Sequence, residues 1–133
     1  MDAAAKISRF LSHGPHAVVG ASRDRSKYGN KVLRVYQQRG RKVYPVNPNE
    51  VEVEGLQCYP NLASLPEPVH GVSIVTPPAV TEQIVEQAAA AHIKHVWIQP
   101  GAESDEALRR AEELGLEAIG AGPCVLVTLG YRE

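Results

Sequence analysis

A chain of 133 residues is long enough to bury the core of one domain, but not of two. Its 14 Lys and Arg nearly balance its 15 Asp and Glu, which argues against the broad basic face that non-specific nucleic-acid binding needs. No apolar run approaches the roughly 20 residues that cross a bilayer, and the N-terminus has no secretory pattern. Two cysteines, Cys58 and Cys124, make neither a disulfide framework nor a zinc site. We therefore expect one cytoplasmic domain, residues 1–133, that binds neither nucleic acid nor membrane.

Apolar segments of strand length alternate with amphipathic segments of helix length, which is typical of βαβ units around a parallel sheet. In chain order, the predicted elements are a helix (3–11), a strand (17–20), a helix (30–39), a strand (42–48), a largely irregular connection (50–65) with a short strand around Gln57-Cys58, a strand (69–75), a helix opened by residues 76–78, a strand (94–98), a helix (104–114), a strand (116–119) and a last extended segment (124–129).

Turn chemistry marks several of these boundaries. Proline suits the first turn of the helix that follows Thr76, and the threonine hydroxyl is expected to cap it. Gly40 and Gly115 stand where left-handed C-terminal caps are expected. Trp97 alternates with its two neighbours, so its side chain should lie on the other face of the sheet, under a helix. The whole pattern predicts an α/β fold: a doubly wound, mostly parallel Rossmann-like sheet with helices on both faces.

Ligands on such sheets bind beyond the carboxyl ends of the strands. The five turns expected there are also the richest in glycine, proline and small residues: 20–22, 45–48, 76–78, 99–101 and 120–124. Periodicity and turn composition therefore predict the same binding rim.

The turn after the first strand predicts an anion site. Small residues at 20–22 let phosphates approach the backbone, and a helix beginning near Gly29 offers unpaired N–H groups. The intervening loop adds three cations, offset only by Asp24: Arg23, Arg25 and Lys27. A nucleotide-type ligand that carries several phosphates is predicted.

The motif differs from that of nicotinamide dinucleotide sites. Ser22 stands where the second glycine is expected, the second strand ends in Asn47 rather than an acid, and Glu50 comes too late in the chain. Neither a Walker loop nor a nucleophile elbow is present. Asn47 itself also suits an Asx turn before Pro48.

The motifs in chain order resemble those of the small coenzyme A-binding proteins. These are single Rossmann-like domains similar to the CoA-binding domain that begins the succinyl-CoA synthetase α subunit. The resemblance covers nearly the whole chain and rests on Val-Gly-Ala-Ser (19–22) with Lys27 and Gly29, Lys-Val-Tyr-Pro-Val-Asn-Pro (42–48), Thr-Pro-Pro (76–78), Val-Trp-Ile-Gln-Pro-Gly (96–101) and Gly-Pro-Cys (122–124).

The resemblance implies that the cofactor is coenzyme A or an acyl-CoA. It implies that residues 20–22 hold phosphates, that Lys42 before the second strand contacts the cofactor, and that the turns after the third and fourth strands line its groove. It does not imply ligase activity, because the synthetase's phosphorylated histidine belongs to a later domain. The expected cofactor-binding residues are Gly20, Ala21, Ser22, Arg23, Arg25, Lys27, Gly29, Lys42, Pro45, Val46, Asn47, Thr76, Pro77, Pro78, Gln99 and Pro100.

The residues on their own support the same ligand. Coenzyme A carries a pyrophosphate and a ribose 3′-phosphate, which need backbone donors and two or three cations. Its pantetheine arm suits a groove with free backbone groups. We expect a non-catalytic binding or regulatory protein without a metal, whose ligand is a small nucleotide and whose partner, if any, is a second copy or another protein.

Two other functions fit the pattern. One is a nicotinamide-nucleotide domain of an oxidoreductase or redox sensor, which an acid near the tip of the second strand would favour. The other is an interaction module with a vestigial site, which would show a large apolar patch and no ligand affinity. Cys124, on the rim, could meet a CoA thiol or sense oxidation.

Overall fold

Strands and helices alternate along the chain as predicted. The structure is a computed structural model that describes residues 2–133. In chain order its elements are α1 (Ala3–Leu11), β1 (His16–Val19), α2 (Tyr28–Gln38), β2 (Val43–Val46), β3 (Glu52–Val53), β4 (Leu56–Gln57), a 3₁₀ turn (Leu62–Ser64), β5 (Gly71–Ile74), α3 (Pro78–Ala90), β6 (His95–Ile98), α4 (Asp105–Glu113), β7 (Glu117–Ile119) and α5 (Val125–Leu129).

Five of the strands form one parallel sheet in the order β2-β1-β5-β6-β7. In register, Val19 stands opposite Val46 and Ile74, and Ile74 stands opposite Ile98, so four strands end level with one another. The order is one of the two common doubly wound arrangements, in which the winding direction reverses beside the first strand. The Rossmann-like prediction is confirmed, and the carboxyl ends of the strands form one edge.

Two apolar layers enclose the sheet. Helices α3 and α4 cover one face, against side chains such as Val96 and Ile98. Helices α1, α2 and α5 cover the other, where Trp97 is fully buried and forms a T-shaped contact with the Phe10 ring, their centroids 5.4 Å apart. The prediction that the Trp97 side chain lies on the opposite face from those of its two neighbours is confirmed. Because both faces are covered, the strands are continuous apolar runs rather than alternating ones.

The C-terminal segment is helical rather than extended, so that prediction is wrong. Residues 124–129 are rich in β-branched and apolar side chains, which favours a strand in isolation. In the fold, however, Val125 is fully buried and α5 packs against α2. Gly130 then ends the helix in the left-handed conformation, at φ 73°. Tertiary packing therefore overrides local propensity here.

The connection after β2 contains more structure than predicted. Strands β3 and β4 pair as a hairpin, although only a short strand near Gln57 was expected. Its two-residue turn, Glu54-Gly55, has φ of 50° and 80°, the positive values that a type I′ turn requires. Glutamate is uncommon at such a position, and this explains why the turn escaped the sequence analysis.

The start of α3 also differs in one detail. A proline lies in the first turn as predicted, but the first helical residue is Pro78 and the cap position is occupied by Pro77 rather than Thr76. No side chain among residues 2–133 caps this helix. Thr76 lies one residue too early, and its hydroxyl instead lies 2.7 Å from that of Thr81. None of the helices described has the length and apolar character needed to cross a membrane.

A buried histidine lies at the amino-terminal edge of the sheet. The His16 side chain is 1% exposed, and its Nε2 lies 2.8 Å from the carbonyl oxygen of Phe10. Its Nδ1 has no hydrogen-bond partner among residues 2–133. Burial lowers the pKa of His16 to about 4, because a charged ring there would be poorly solvated.

We expect this histidine to make folding stability fall as the pH drops below about 6.5. Below this pH His16 is protonated in the unfolded chain but not in the folded chain, so protons favour unfolding. A pKa lowered from 6.5 to about 4 corresponds to a loss of about 3 kcal/mol in the free energy of unfolding across the full range. Urea unfolding at several pH values between 7 and 5 measures the slope.

His16→Gln should remove most of that slope. Burial also lowers the pKa of His95, which leaves a residual dependence. The matched control is His13→Gln, a change at an exposed histidine, which should keep the wild-type slope. A His16→Gln protein with the full wild-type slope would contradict this assignment.

Candidate functional site

The turns at the carboxyl ends of the parallel strands meet at one edge, which we call the carboxyl rim (residues 20–22, 47–48, 75–77, 99–101 and 120–124). Backbone hydrogen bonds join neighbouring turns. The N–H of Gly20 donates to the carbonyl of Val46 at 3.0 Å, and that of Gln99 donates to the carbonyl of Ile74 at 3.1 Å. The rim predicted from periodicity is therefore one continuous surface.

Two glycines bring the first turn (20–22) into close backbone contact with its neighbours. Gly20 has φ 96°, and a Cβ there would lie 1.9 Å from the carbonyl oxygen of Val75. A Cβ on Gly29 would lie 2.0 Å from the carbonyl oxygen of Gly20. Both glycines thus serve close packing, and that packing holds the start of α2 directly against the first turn.

The start of α2 carries no internal cap. Its cap residue is Lys27, and no side chain among the described residues 2–133 caps its first N–H groups. A cation beside the positive end of a helix dipole is unfavourable unless an anion lies nearby. Asp24 is the nearby carboxylate, and its pKa is lowered first by hydrogen bonds from Ser26 and then by the charge of Lys27. Within residues 2–133, Lys27 forms no direct ion pair. This end of α2 therefore has the donors and the charge to hold an anion.

The loop at 23–27 is less basic than the sequence suggested. The Arg23 Nε lies 3.3 Å from Glu50 Oε1, and the Arg25 Nη2 lies 3.1 Å from Glu54 Oε1. The expectation that Asp24 alone offsets the three cations is wrong, because the β2–β3 connection and the hairpin bring two more carboxylates to the loop. Glu50 also accepts a hydrogen bond from the backbone N–H of Arg23 at 2.8 Å.

Asn30 fixes the second of these carboxylates. Its Nδ2 donates to Glu54 Oε2 at 3.0 Å and to the carbonyl of Ser22 at 2.8 Å. Its Oδ1 accepts from the Nε of Arg34 at 2.7 Å. The pKa of Glu54 is lowered, mainly by the hydrogen bond from Asn30 and then by Arg25. Asn30 is fully buried, so this network ties the hairpin, the first turn and α2 together.

The tip of β2 supports the first turn from the other side. Asn47 donates from Nδ2 to the carbonyl of Ala21 at 2.7 Å and accepts from the N–H of Asn49 at 2.8 Å. It therefore forms the Asx turn weighed above and also orders the first turn. Pro45 and Val46 are buried within β2, and they can offer a ligand only backbone groups.

A groove runs between the turns that follow β5 and β6. It is a shallow, solvent-open depression of about 310 Å³, at the lower end of the range of small-molecule sites. The predicted residues Thr76, Pro77 and Pro100 lie in its wall, while Pro78 is exposed at the start of α3. The full lining is Tyr28, Val75, Thr76, Pro77, Pro100, Gly101 and Ala102.

Tyr28 is a member of this groove that the sequence analysis missed. Its signal is an aromatic residue at the helix entrance, directly after the cap residue. The hydroxyl lies 2.7 Å from Cys124 Sγ and donates to Gln99 Oε1 at 3.2 Å. The pKa of Tyr28 is raised, first by burial and then by the contact with Cys124. The phenol therefore stays neutral and joins three elements of the rim.

Gln99 lies beneath the groove rather than in its wall. Its side chain is fully buried, and Oε1 also accepts from the backbone N–H of Val125 at 3.0 Å. The predicted residue is thus at the rim, where it orders Tyr28 and the start of α5. Cys124, also on the rim, contacts the same Tyr28 hydroxyl through its Sγ.

Lys42 is the predicted residue that the structure places apart from the others. It precedes β2 at the amino-terminal edge of the sheet, where its carbonyl accepts from the N–H of His16. Its Nζ lies 2.5 Å from Glu67 Oε2. Lys42 precedes β2, whereas the first turn follows the parallel neighbour β1. The two therefore lie at opposite edges of the sheet, about 13 Å apart for strands of four residues.

Other cavities lie away from the rim. One of about 730 Å³ lies beside the 3₁₀ turn and the end of α3, and one of about 800 Å³ lies at the amino ends of β6 and β7. Neither adjoins a turn at the carboxyl ends of the strands. Within residues 2–133, no group of three or more His, Cys, Asp or Glu is placed to hold a metal ion.

Comparison with known proteins gives this rim a family context. Residues 16–130 match the family model described as a CoA binding domain. The chain is 34% identical over 98 residues to acetate–CoA ligase (ADP-forming) II of Archaeoglobus fulgidus, covering 72% of this chain and 15% of the ligase. It is 34% identical over 112 residues to the α subunit of acetate–CoA ligase (ADP-forming) II of Pyrococcus furiosus, covering 81% and 24%.

A solved structure of similar size supports the same relationship. A conserved hypothetical protein from Pyrococcus furiosus superposes with a TM-score of 0.82 at 42% identity, over 87% of this chain and 99% of that one. The two ligases above are much longer, and this chain spans less than a quarter of their length. The match therefore concerns the CoA-binding region and not the ligase as a whole.

The packing of Gly29 against the first turn yields a stability prediction. Gly29→Ala should lower the unfolding free energy by about 2–3 kcal/mol, since its methyl group would overlap the Gly20 carbonyl, even though alanine favours a helix. Denaturant unfolding followed by circular dichroism measures the change.

Gly40→Ala is the matched control. Gly40 has φ 65° but open space around its Cβ position, so the strain of a left-handed alanine should cost only about 1 kcal/mol. Equal effects of the two substitutions would show that the contact between α2 and the first turn is not tight.

Proposed function

The chain belongs to the family of CoA-binding domains, and we propose that it binds coenzyme A or an acyl-CoA at the carboxyl rim. The observation that carries the proposal is the uncapped start of α2, held against the first turn with Lys27 at its cap position. Backbone donors, a helix dipole and a cation converge there, and a pyrophosphate needs all three.

The groove beyond the first turn suits the rest of the ligand. It leads from Tyr28 along the turns after β5 and β6 and has a mainly apolar wall. A pantetheine arm is long and thin, with two amides that need backbone partners. We propose that Thr76, Pro77 and Pro100 line this arm and that residues 20–22, 27 and 29 hold the phosphates.

We propose a binding or regulatory role rather than catalysis by this chain. The polar side chains beside the groove, those of Tyr28, Gln99 and Cys124, are engaged with one another. Such mutual contacts suit a rigid wall better than a nucleophile with a base. A role beside a second protein that carries out acyl-CoA chemistry would agree with the ligases that this chain resembles.

One observation favours a second candidate, a nicotinamide nucleotide site. The sequence analysis placed Glu50 too late to act as the acid of such a site, yet its carboxylate reaches the backbone N–H of Arg23 beside the first turn. In dinucleotide sites an acid near this position accepts hydrogen bonds from ribose hydroxyls. NAD is therefore the competing ligand that a binding test must include.

Calorimetric titration with coenzyme A, dephospho-coenzyme A and NAD in the same buffer tests the proposal. We expect coenzyme A to bind with a micromolar Kd and dephospho-coenzyme A more weakly, because the latter lacks the 3′-phosphate charges. Tighter binding of NAD would support the second candidate. Absence of binding by all three would leave the fold and family but remove the proposed function.

Lys27→Ala tests where the phosphates bind. We expect it to weaken coenzyme A binding by about 5- to 30-fold, as for one charge-assisted contact of about 1–2 kcal/mol. The melting temperature should not fall, because removing a cation from a helix N-terminus is not destabilising. Lys42→Ala, at the opposite edge, should leave the affinity unchanged. A loss of affinity in Lys42→Ala with none in Lys27→Ala would overturn this placement.

A further inference from the structure

In this structure, some hydrogen-bond donors beside the first turn are already occupied by the protein's own carboxylates. Glu50 accepts from the backbone N–H of Arg23 at 2.8 Å and lies 3.3 Å from the Nε of the same residue. Glu54 receives the guanidinium of Arg25 through two contacts, of 3.2 and 3.1 Å. Carboxylate and phosphate oxygens accept from the same donors in the same way.

The two sides of these ion pairs differ in freedom. The side chains of Arg23 and Arg25 are 75% and 64% exposed, whereas those of Glu50 and Glu54 are each 18% exposed. Glu54 is further fixed by the buried Asn30. The arginines can therefore turn away from the acids, while the acids stay beside the turn.

A phosphate-bearing ligand would meet an unfavourable charge there. Two fixed carboxylates repel a polyanion at short range, and they are partly shielded only while the arginines pair with them. If the arginines turn to the ligand, the carboxylates lose their partners.

We propose that Glu50 and Glu54 are internal competitors of the ligand: they pair with the guanidinium groups of Arg23 and Arg25, and a phosphate-bearing ligand binds by drawing those two groups away from the carboxylates. The inference rests on the proposed function. It assigns the two acids a selective role, since only a ligand with several negative charges replaces two ion pairs at once. Weakly charged nucleotides leave the pairs in place and bind poorly.

Charge-removing substitutions test the competition. Glu50→Gln keeps an oxygen acceptor for the Arg23 N–H but removes the charge, so it should tighten coenzyme A binding by about two- to fivefold, the size of one exposed ion pair. Glu54→Gln should act in the same direction, and the double variant should exceed either one. The gain should shrink for dephospho-coenzyme A and at high salt.

Glu67→Gln provides the matched control. It breaks a different carboxylate–cation pair, Glu67–Lys42, at the opposite edge of the sheet. Its coenzyme A affinity should equal that of the wild type. Melting temperatures of all variants are measured in parallel. For Glu50→Gln we expect a slightly lower melting temperature together with tighter coenzyme A binding. A variant that had simply lost structure would bind coenzyme A more weakly.

The outcomes separate this inference from the function on which it rests. If the wild-type protein fails to bind coenzyme A, both the proposed function and the proposed competition are wrong. Wild-type binding with unchanged or weaker affinity in both Glu50→Gln and Glu54→Gln overturns the competition alone. It would then assign these acids to positioning the loop or to contacting the ribose.

Discussion

The close approach of backbone to backbone at the first turn constrains the rest of the rim. Gly20 lies against the carbonyl of Val75, and Gly29 lies against the carbonyl of Gly20, at separations that leave no room for a side chain. This contact sets the distance between α2 and the sheet, and it places the N-terminus of α2 directly beside the first turn. Asn30 and Asn47 then hold the same turn through its carbonyl oxygens. The proposed anion site is therefore built mainly from main-chain atoms.

Charge at this site is balanced rather than simply positive. The three cations of the loop at 23–27 are balanced by Asp24 and by two carboxylates from the segment after β2, so the loop and its partners carry little net charge. A balanced rim keeps the loop ordered without a ligand, because each arginine has a partner. It also limits non-specific attraction of anions, which a cluster of unpaired cations would produce. The proposed selectivity and the order of the loop thus depend on the same ion pairs.

The two edges of the sheet have different characters. The carboxyl rim has exposed loops, a groove and hydrogen bonds that a ligand can replace. The amino-terminal edge holds His16, His70 and His95 in ring contact under α1, with His16 and His70 bonded to the last carbonyls of that helix. The proposed ligand site lies at the first edge. The second edge serves mainly to attach α1 to the sheet.

The sequence by itself determined the order of the elements, the doubly wound fold, the rim and the glycine turn at its centre. These follow from local signals: apolar period, proline and glycine positions, and the reversal of Trp97 relative to its neighbours. Only the tertiary structure decided that Val125–Leu129 is helical, that Tyr28 lines the groove and Gln99 lies beneath it, and that Lys42 lies at the opposite edge. It alone brought Glu50 and Glu54 to Arg23 and Arg25. Such pairings join residues almost 30 positions apart, and no local period or turn preference encodes a contact that depends on where a hairpin folds back onto the sheet.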